Sequence, residues 1–206
     1  MKKTLLTIFV CFAAAVSAFA QLNVGFGYHG ELHAFKDTKD SKTELYDMHG
    51  AYLGVSYNFC FNGDAGFGIA PGAYFSFAGD IEDKVFTRHT SVEIPVHLTY
   101  SLDAGPGQFF VFAGPAFDVG INFKQKWMGD NPGSDELIDW YKKDIGVLSR
   151  FDLKVGVGVG YSWEHIMVNL GWDFGTLNRY KKNYIQDFAG SSYRLHSFHV
   201  GLAYVF

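Results

Sequence analysis

The chain has 206 residues, with 17 Lys and Arg against 21 Asp and Glu, and it is rich in Phe (21), Tyr (12) and Gly (24) but poor in Pro (5). This acidic balance argues against nucleic acid as a partner, because phosphate binding needs a basic face. Its two cysteines, Cys11 and Cys60, are too few for a thiolate metal cluster.

Residues 1–20 read MKKTLLTIFVCFAAAVSAFA, with a basic start at Lys2 and Lys3, an apolar middle from Leu5 to Val16, and the small-x-small pattern Ala18-Phe19-Ala20. That pattern predicts a secretory signal peptide cleaved after Ala20. Cys11 lacks the small residues a lipoprotein signal needs before it, so no N-terminal lipid is expected. The remaining residues 21–206 are expected to form one domain. They lose two lysines and no acid, leaving 15 basic against 21 acidic residues and a formal charge of −6. Cys60 is then alone, so no intrachain disulfide is expected. Beyond the leader no apolar run approaches the ~18 residues of a spanning helix, so a membrane crossing would be made by strands.

Eight period-two patterns follow in chain order. Their apolar phases are Leu22-Val24-Phe26-Tyr28, Leu53-Val55-Tyr57-Phe59-Phe61, Phe67-Ile69-Pro71-Ala73-Phe75-Phe77 and Val92-Ile94-Val96-Leu98-Tyr100. The second four are Val111 through Phe123, Leu153 through Trp163, Ile166 through Phe174, and Phe198-Val200-Leu202-Tyr204-Phe206. Such alternation predicts strands with one apolar face. The opposite phase is mostly small, as in Gly54-Ser56-Asn58-Cys60 and Gly156-Gly158-Gly160-Ser162. A soluble sandwich would carry Lys, Glu and Thr there. Large apolar residues on one face and small or polar ones on the other give the inverted pattern of a narrow transmembrane barrel, and lipid requires the sheet to close.

The connections alternate in the same sense. Those after the odd strands are long, at about 36–47, 79–90, 124–147 and 176–192, and those after the even strands are short, at 62–66, 103–108 and near Glu164-His165. Long outer loops and short periplasmic turns characterise outer-membrane barrels. The expected fold is therefore all-β: an eight-stranded antiparallel up-and-down transmembrane β-barrel with both ends in the periplasm. Tyr57, Phe59, Tyr100, Tyr161, Trp163 and Tyr204 should mark the periplasmic boundary, and Phe123, Trp172 and Phe174 the outer one. Pro71, Pro95 and Pro115 remove ladder donors, which predicts bulges or strand ends at these positions.

Glu93-Ile94-Pro95, Phe112-Ala113-Gly114-Pro115, the Gly-rich 156–160 stretch and the terminal Tyr204-Val205-Phe206 together resemble the PorT-like, OmpX-like outer-membrane β-barrel family of Bacteroidetes. The resemblance covers the whole chain after the leader. It implies Sec-type export to the bacterial outer membrane, insertion by the barrel-assembly machinery through the C-terminal aromatic, and a porin-like barrel fold. It says little about activity, because one fold hosts many functions.

Extending the inward phase gives the lumen inventory: His29, Glu31, His33, Glu93, His97, Asp118, Arg150, Asp152, Lys154, Asn169, Asp173 and His199. An eight-stranded barrel is just wide enough for side chains to fill, so these are expected to pack as a buried polar network; a narrow ion or water path is the alternative. Within YHGELHAF (28–35), His29 and His33 lie ~13 Å apart along a strand, too far for one ion to take both with Glu31. We expect no metal and no cofactor. The weak metal candidate is His29 and Glu31 with His199 from the closing strand. The glycines of Gly156-x-Gly158-x-Gly160 open no helix and are read as close lumen packing.

His89, Ser91 and Glu93 share a phase and could suggest a lipid A modifying enzyme, but that phase faces the lumen, so no enzyme is expected. The loops are the expected contact surface. Ser134-Asp135-Glu136 reads as a helix start leading into Leu137, Ile138, Trp140 and Tyr141. Trp127, Trp140, Tyr141, Arg179, Tyr180, Lys181 and Lys182 are expected to touch outer-membrane lipid, the phosphates of lipopolysaccharide or a protein partner. The functional expectation is a structural or interaction barrel acting through its long loops.

Overall fold

The predicted alternations become strands, and the strands close on themselves. In the computed structural model, residues 20–36, 42–61, 65–82, 84–127, 136–142, 147–181 and 191–206 are described. The proposed leader, apart from Ala20, lies outside them. The strands are β1 (Ala20–Lys36), β2 (Thr43–Cys60), β3 (Gly66–Glu82), β4 (Val85–Ala104), β5 (Gly107–Trp127), β6 (Glu136–Asp139), β7 (Phe151–Trp163), β8 (Ile166–Gly175) and β9 (Ser192–Val205). Eight of them pair antiparallel in the ring β1–β2–β3–β4–β5–β7–β8–β9, and β9 closes on β1 from Asn23↔Val205 to Lys36↔Ser192. The fold is an eight-stranded up-and-down transmembrane barrel, as the alternation predicted. The short β6 lies outside the ring, pairing only the outer end of β5, from Lys124↔Asp139 to Trp127↔Glu136.

Burial is inverted, which is what the two phases demand. Phe26, Leu53, Phe67 and Leu98 face outward with more than 60% of their surface exposed, while Glu31, Asp118, Asp152 and Lys154 are buried inside. An apolar band of this extent is stable against hydrocarbon and not against water. Inside, the rings of Phe112 and Phe110 occupy the space a Cβ would need at Gly158 and Gly160, so these glycines serve lumen packing as expected.

Three expectations about local geometry change. The long connections after the first and second odd strands shrink, because β3 runs to Glu82 and β4 starts at Val85. A tilted strand needs about 9–11 residues to cross the hydrocarbon, whereas β1 to β5 have 17 to 21. Their ladders continue beyond the apolar band, where polar residues on both faces erase the alternation. β7 and β8 have only 13 and 10, so the wall is tall on one side.

The second change concerns phase. The β4–β5 register shifts between Thr90 and Ser91: Ser91 pairs Gly120 but Thr90 pairs Asn122, leaving Ile121 as the extra residue. A one-residue bulge turns every later side chain to the opposite face. Phe123 therefore points inward and is buried rather than marking the outer girdle. Trp172 and Phe174 remain on the lipid side, Trp172 stacked on Phe198 and Phe174 edge-on to His196.

Third, the prolines sit at neither bulges nor strand ends. The pairs Tyr57–Pro71, Gly72–Pro95 and Val96–Pro115 are missing from ladders whose register is unchanged on either side, while Pro71, Pro95 and Pro115 each keep a partner in the following strand, Val96, Ala116 and Val155. Each proline lacks one donor, so a local gap suffices and no extra residue is inserted.

Candidate functional site

Two polar clusters and a set of loop residues divide the lumen. The upper cluster is built on β1. Residues 29, 31 and 33 share its inner face, and Glu31 lies between the two histidines: His29 Nε2 is 3.2 Å from Oε1 and His33 Nε2 is 3.1 Å from Oε2. His89, brought across from β4, holds both carboxylate oxygens through Nδ1 at 2.8 and 2.9 Å. Three imidazoles therefore satisfy one buried carboxylate, as a charge removed from water requires.

The lower cluster centres on Lys154 of β7. Its Nζ lies 2.6 Å from Asp118 Oδ2 and 2.9 Å from Glu93 Oε2, and it donates to Ser197 Oγ at 3.1 Å. Nearby, His199 Nδ1 is 3.4 Å from Asp173 Oδ2, and the ring of Phe112 stacks between His97 and His199.

Loop residues seal the top. Tyr141, which follows β6, reaches into the barrel, where its hydroxyl is 2.9 Å from His89 Nε2 and accepts from Arg179 Nη2 at 2.5 Å. Position 120 must be glycine for this, since a Cβ there would collide with the phenol. The Arg150 guanidinium also lies over the ring, 5.0 Å from its centroid, within cation–π range. Around the ring pack Met48, Ala78, Phe123, Leu148 and Tyr193, the apolar core of the described residues. Burial pushes the Tyr141 phenol well above its usual range, although the Arg179 charge opposes the shift. Burial also works against the Arg179 charge, but the Tyr141 and Tyr193 oxygens and then Asp118 and Asp152 outweigh it, so its pKa rises further. A neutral phenol and a charged guanidinium are therefore locked together in the plug.

The seal leaves two cavities of different kinds. Below it, about 100 Å³ is lined by His29, Tyr52, Asn58, His97, Thr99, Asp173 and His199, among others. Above it, a vestibule of about 790 Å³ is walled by the tall β1–β5 side and by loop residues Trp140, Val147, Leu148 and Tyr180. The lower volume suits a few waters. The vestibule falls in the size range of ligand-binding clefts.

The family model for the outer membrane protein beta-barrel domain matches residues 18–179. The chain belongs to this family. The location that follows for this outer-membrane barrel is the bacterial outer membrane, among its lipids. No curated protein matches the sequence. Among solved structures, Ail, the attachment invasion locus protein of Yersinia pestis, aligns at TM-score 0.50 and 12% identity over 91% of this chain and 99% of Ail. A second Ail structure, in complex with the heparin analogue sucrose octasulfate, aligns equally. Neisserial surface protein A aligns at TM-score 0.45 and 11% identity over 91% of this chain and 97% of its own. At such identities the Ail likeness speaks to fold alone.

The barrel places most of the expected lumen residues inside: His29, Glu31, His33, Glu93, His97, Asp118, Lys154, Asn169, Asp173 and His199 belong to the two clusters or line the lower cavity, and Asp152 is buried with its Oδ1 accepting from the Leu177 N–H. Arg150 does not. It is exposed at the rim, its guanidinium donating to the Gly120 and Ile121 carbonyls at the bulge. Arg179 takes its place inside. Tyr141 and Arg179, expected as outward contacts, are buried at 4% and 1% exposure, because the Ser149 carbonyl and the Tyr141 phenol accept from the guanidinium inside. Trp127 remains exposed, Trp140, Tyr180 and Lys181 are half-buried, and Lys182 lies outside the described residues.

The expected helix start also fails: Glu136–Asp139 is strand, templated by the open edge of β5, and Ser134 and Asp135 lie outside the described residues. His199 pairs His29 across β1–β9 as the closing strand suggested, but the two imidazoles bond different carboxylates. Among the described residues no three His, Cys, Asp or Glu side chains form a metal-binding group. The lumen-facing phase expected for His89 holds, since its side chain is buried against Glu31. Tyr141, Arg179 and Tyr193 were not foreseen as lumen groups and needed the fold.

Proposed function

We propose that this barrel is a non-enzymatic surface protein that binds a partner at its outer mouth. The vestibule carries the reading: a ligand-sized cleft above a sealed lumen, lined by Phe35, Tyr46, Trp127, Trp140 and Tyr180. Aromatic side chains of this kind dominate binding energy at interfaces. Glu44, Asp47, Asp80 and Glu82 share the lining, among the described residues, with Lys36 and the imidazole of His33, so the cleft favours a neutral or cationic ligand over a polysulfated sugar such as that held by Ail. Contact with lipopolysaccharide phosphates falls to Lys181 and Lys182, since Arg179 is committed inside.

The groups considered for lipid A chemistry support the non-enzymatic reading. Ser91 Oγ bonds Ser76 Oγ at 2.8 Å, both His89 nitrogens are engaged by Glu31 and Tyr141, and Glu93 is held by Lys154. No nucleophile–base pair results. We also assign residues 1–20 as a cleaved leader for Sec-type export, 21–206 as the barrel, Phe206 as part of the insertion signal, and the PorT-like barrels of Bacteroidetes as the nearer kin.

Deleting residues 128–143 tests the reading. The variant is expected to keep heat-modifiable migration on gels while losing the protein captured by the wild type from native outer membranes. Capture unchanged by the deletion would contradict it.

A further inference from the structure

The two cavities are separate, and the H-x-E-x-H stretch of β1 lies between them together with the Tyr141 plug. His29 lines the lower cavity and His33 lines the vestibule. Each imidazole presents Nε2 to a different oxygen of Glu31, at 3.2 and 3.1 Å. On the far side His33 Nδ1 meets the Tyr193 hydroxyl at 2.5 Å. His29, Glu31 and His33 are buried, with His89 against them, and the two cavities share no lining residue. The lower cavity extends from Asn58 and Thr99, near the periplasmic ends of β2 and β4, up to His29. Water-accessible space on each side is thus joined by an unbroken run of titratable groups at hydrogen-bonding distance.

We propose that His29, Glu31 and His33 form a proton relay across the septum, carrying protons where ions cannot pass. A proton taken by His29 from the lower cavity leaves Nε2 for Glu31 Oε1. The neutral carboxyl turns about its Cγ–Cδ bond and delivers the same proton to Nε2 of His33. The Nδ1 proton of His33 then passes to the Tyr193 hydroxyl oxygen as that hydroxyl releases its own proton toward the vestibule that His33 lines, and tautomer exchange resets each ring. One proton enters and one leaves, and no other bond changes. His89 holds the two carboxylate oxygens almost equally, at 2.8 and 2.9 Å, so it keeps a hydrogen bond to Glu31 in either orientation. Ions are excluded because moving a charge through this septum would displace packed side chains, whereas a proton needs only existing hydrogen bonds. The spacing of two along a strand is the functional point: it sets ~6.6 Å between neighbours, which one imidazole–carboxyl hydrogen bond spans.

The test uses the full-length barrel in vesicles loaded with a fluorescent pH indicator, with a valinomycin-clamped potassium potential driving protons. The wild type is expected to carry protons well above protein-free vesicles, with no potassium leak when valinomycin is omitted. Glu31→Gln cannot accept and release the proton, and should lower the flux by about a hundredfold, the scale of a positioned acid–base group, or to vesicle leak. Heat-modifiable migration checks its fold, and His33→Phe interrupts the same path at the next station should Glu31→Gln fail to insert. Wild-type flux equal to protein-free vesicles overturns the proposal. So does a folded interrupted variant that conducts like wild type, or a potassium leak showing an open pore.

Discussion

At the residue scale, Lys154 and Tyr141 bear different kinds of load. Lys154 answers two carboxylates from a position with 1% exposure. Removing one partner of a buried pair leaves an uncompensated charge, so Lys154→Met should cost about 3–5 kcal/mol in chemical unfolding of the refolded barrel. Tyr141 is a buried phenol whose pKa is raised. A raised acid favours the protonated folded state: its contribution is complete below the ordinary phenol value near 10 and is lost as pH rises through the higher folded one. Protection of the 136–142 segment from protease should therefore be flat across neutral pH and fail only above about 10.

At the element scale, the bulge at Ile121 decides which residues build the plug. Because it rephases the end of β5, it turns Phe123 inward against His33, His89 and Tyr141. A nitroxide at position 121 should be open to oxygen dissolved in lipid, and one at position 123 should not. Equal accessibility at the two sites would refute the rephasing. The eight strands and their inward face were legible in the sequence because lipid enforces strict alternation between Leu22 and Tyr204. The bulge was not, since Val119-x-Ile121-x-Phe123 reads as uninterrupted alternation. Neither was β6, because strand pairing at an open edge depends on the edge being there and leaves no mark in Glu136–Asp139 itself. The partners of His29 and Glu31 were legible only as a shared face; Arg179 and Tyr141 come from loops whose path no periodicity records.

At the scale of the molecule, tall and short walls, plug and septum compose one object. β1 to β5 rise past the apolar band and, with the segments flanking β7, enclose a vestibule of about 790 Å³ above a lower cavity of about 100 Å³. The barrel scaffold keeps the vestibule open, and the Glu31 and Lys154 clusters fill what would otherwise be a channel. The sealed lumen is the claim on which both the surface-binding reading and the proton relay depend. Recordings of the purified barrel in planar bilayers under concentrated potassium chloride test it most directly. A baseline without unitary steps is expected, and steady stepwise conductance by the folded wild-type protein would contradict a sealed lumen.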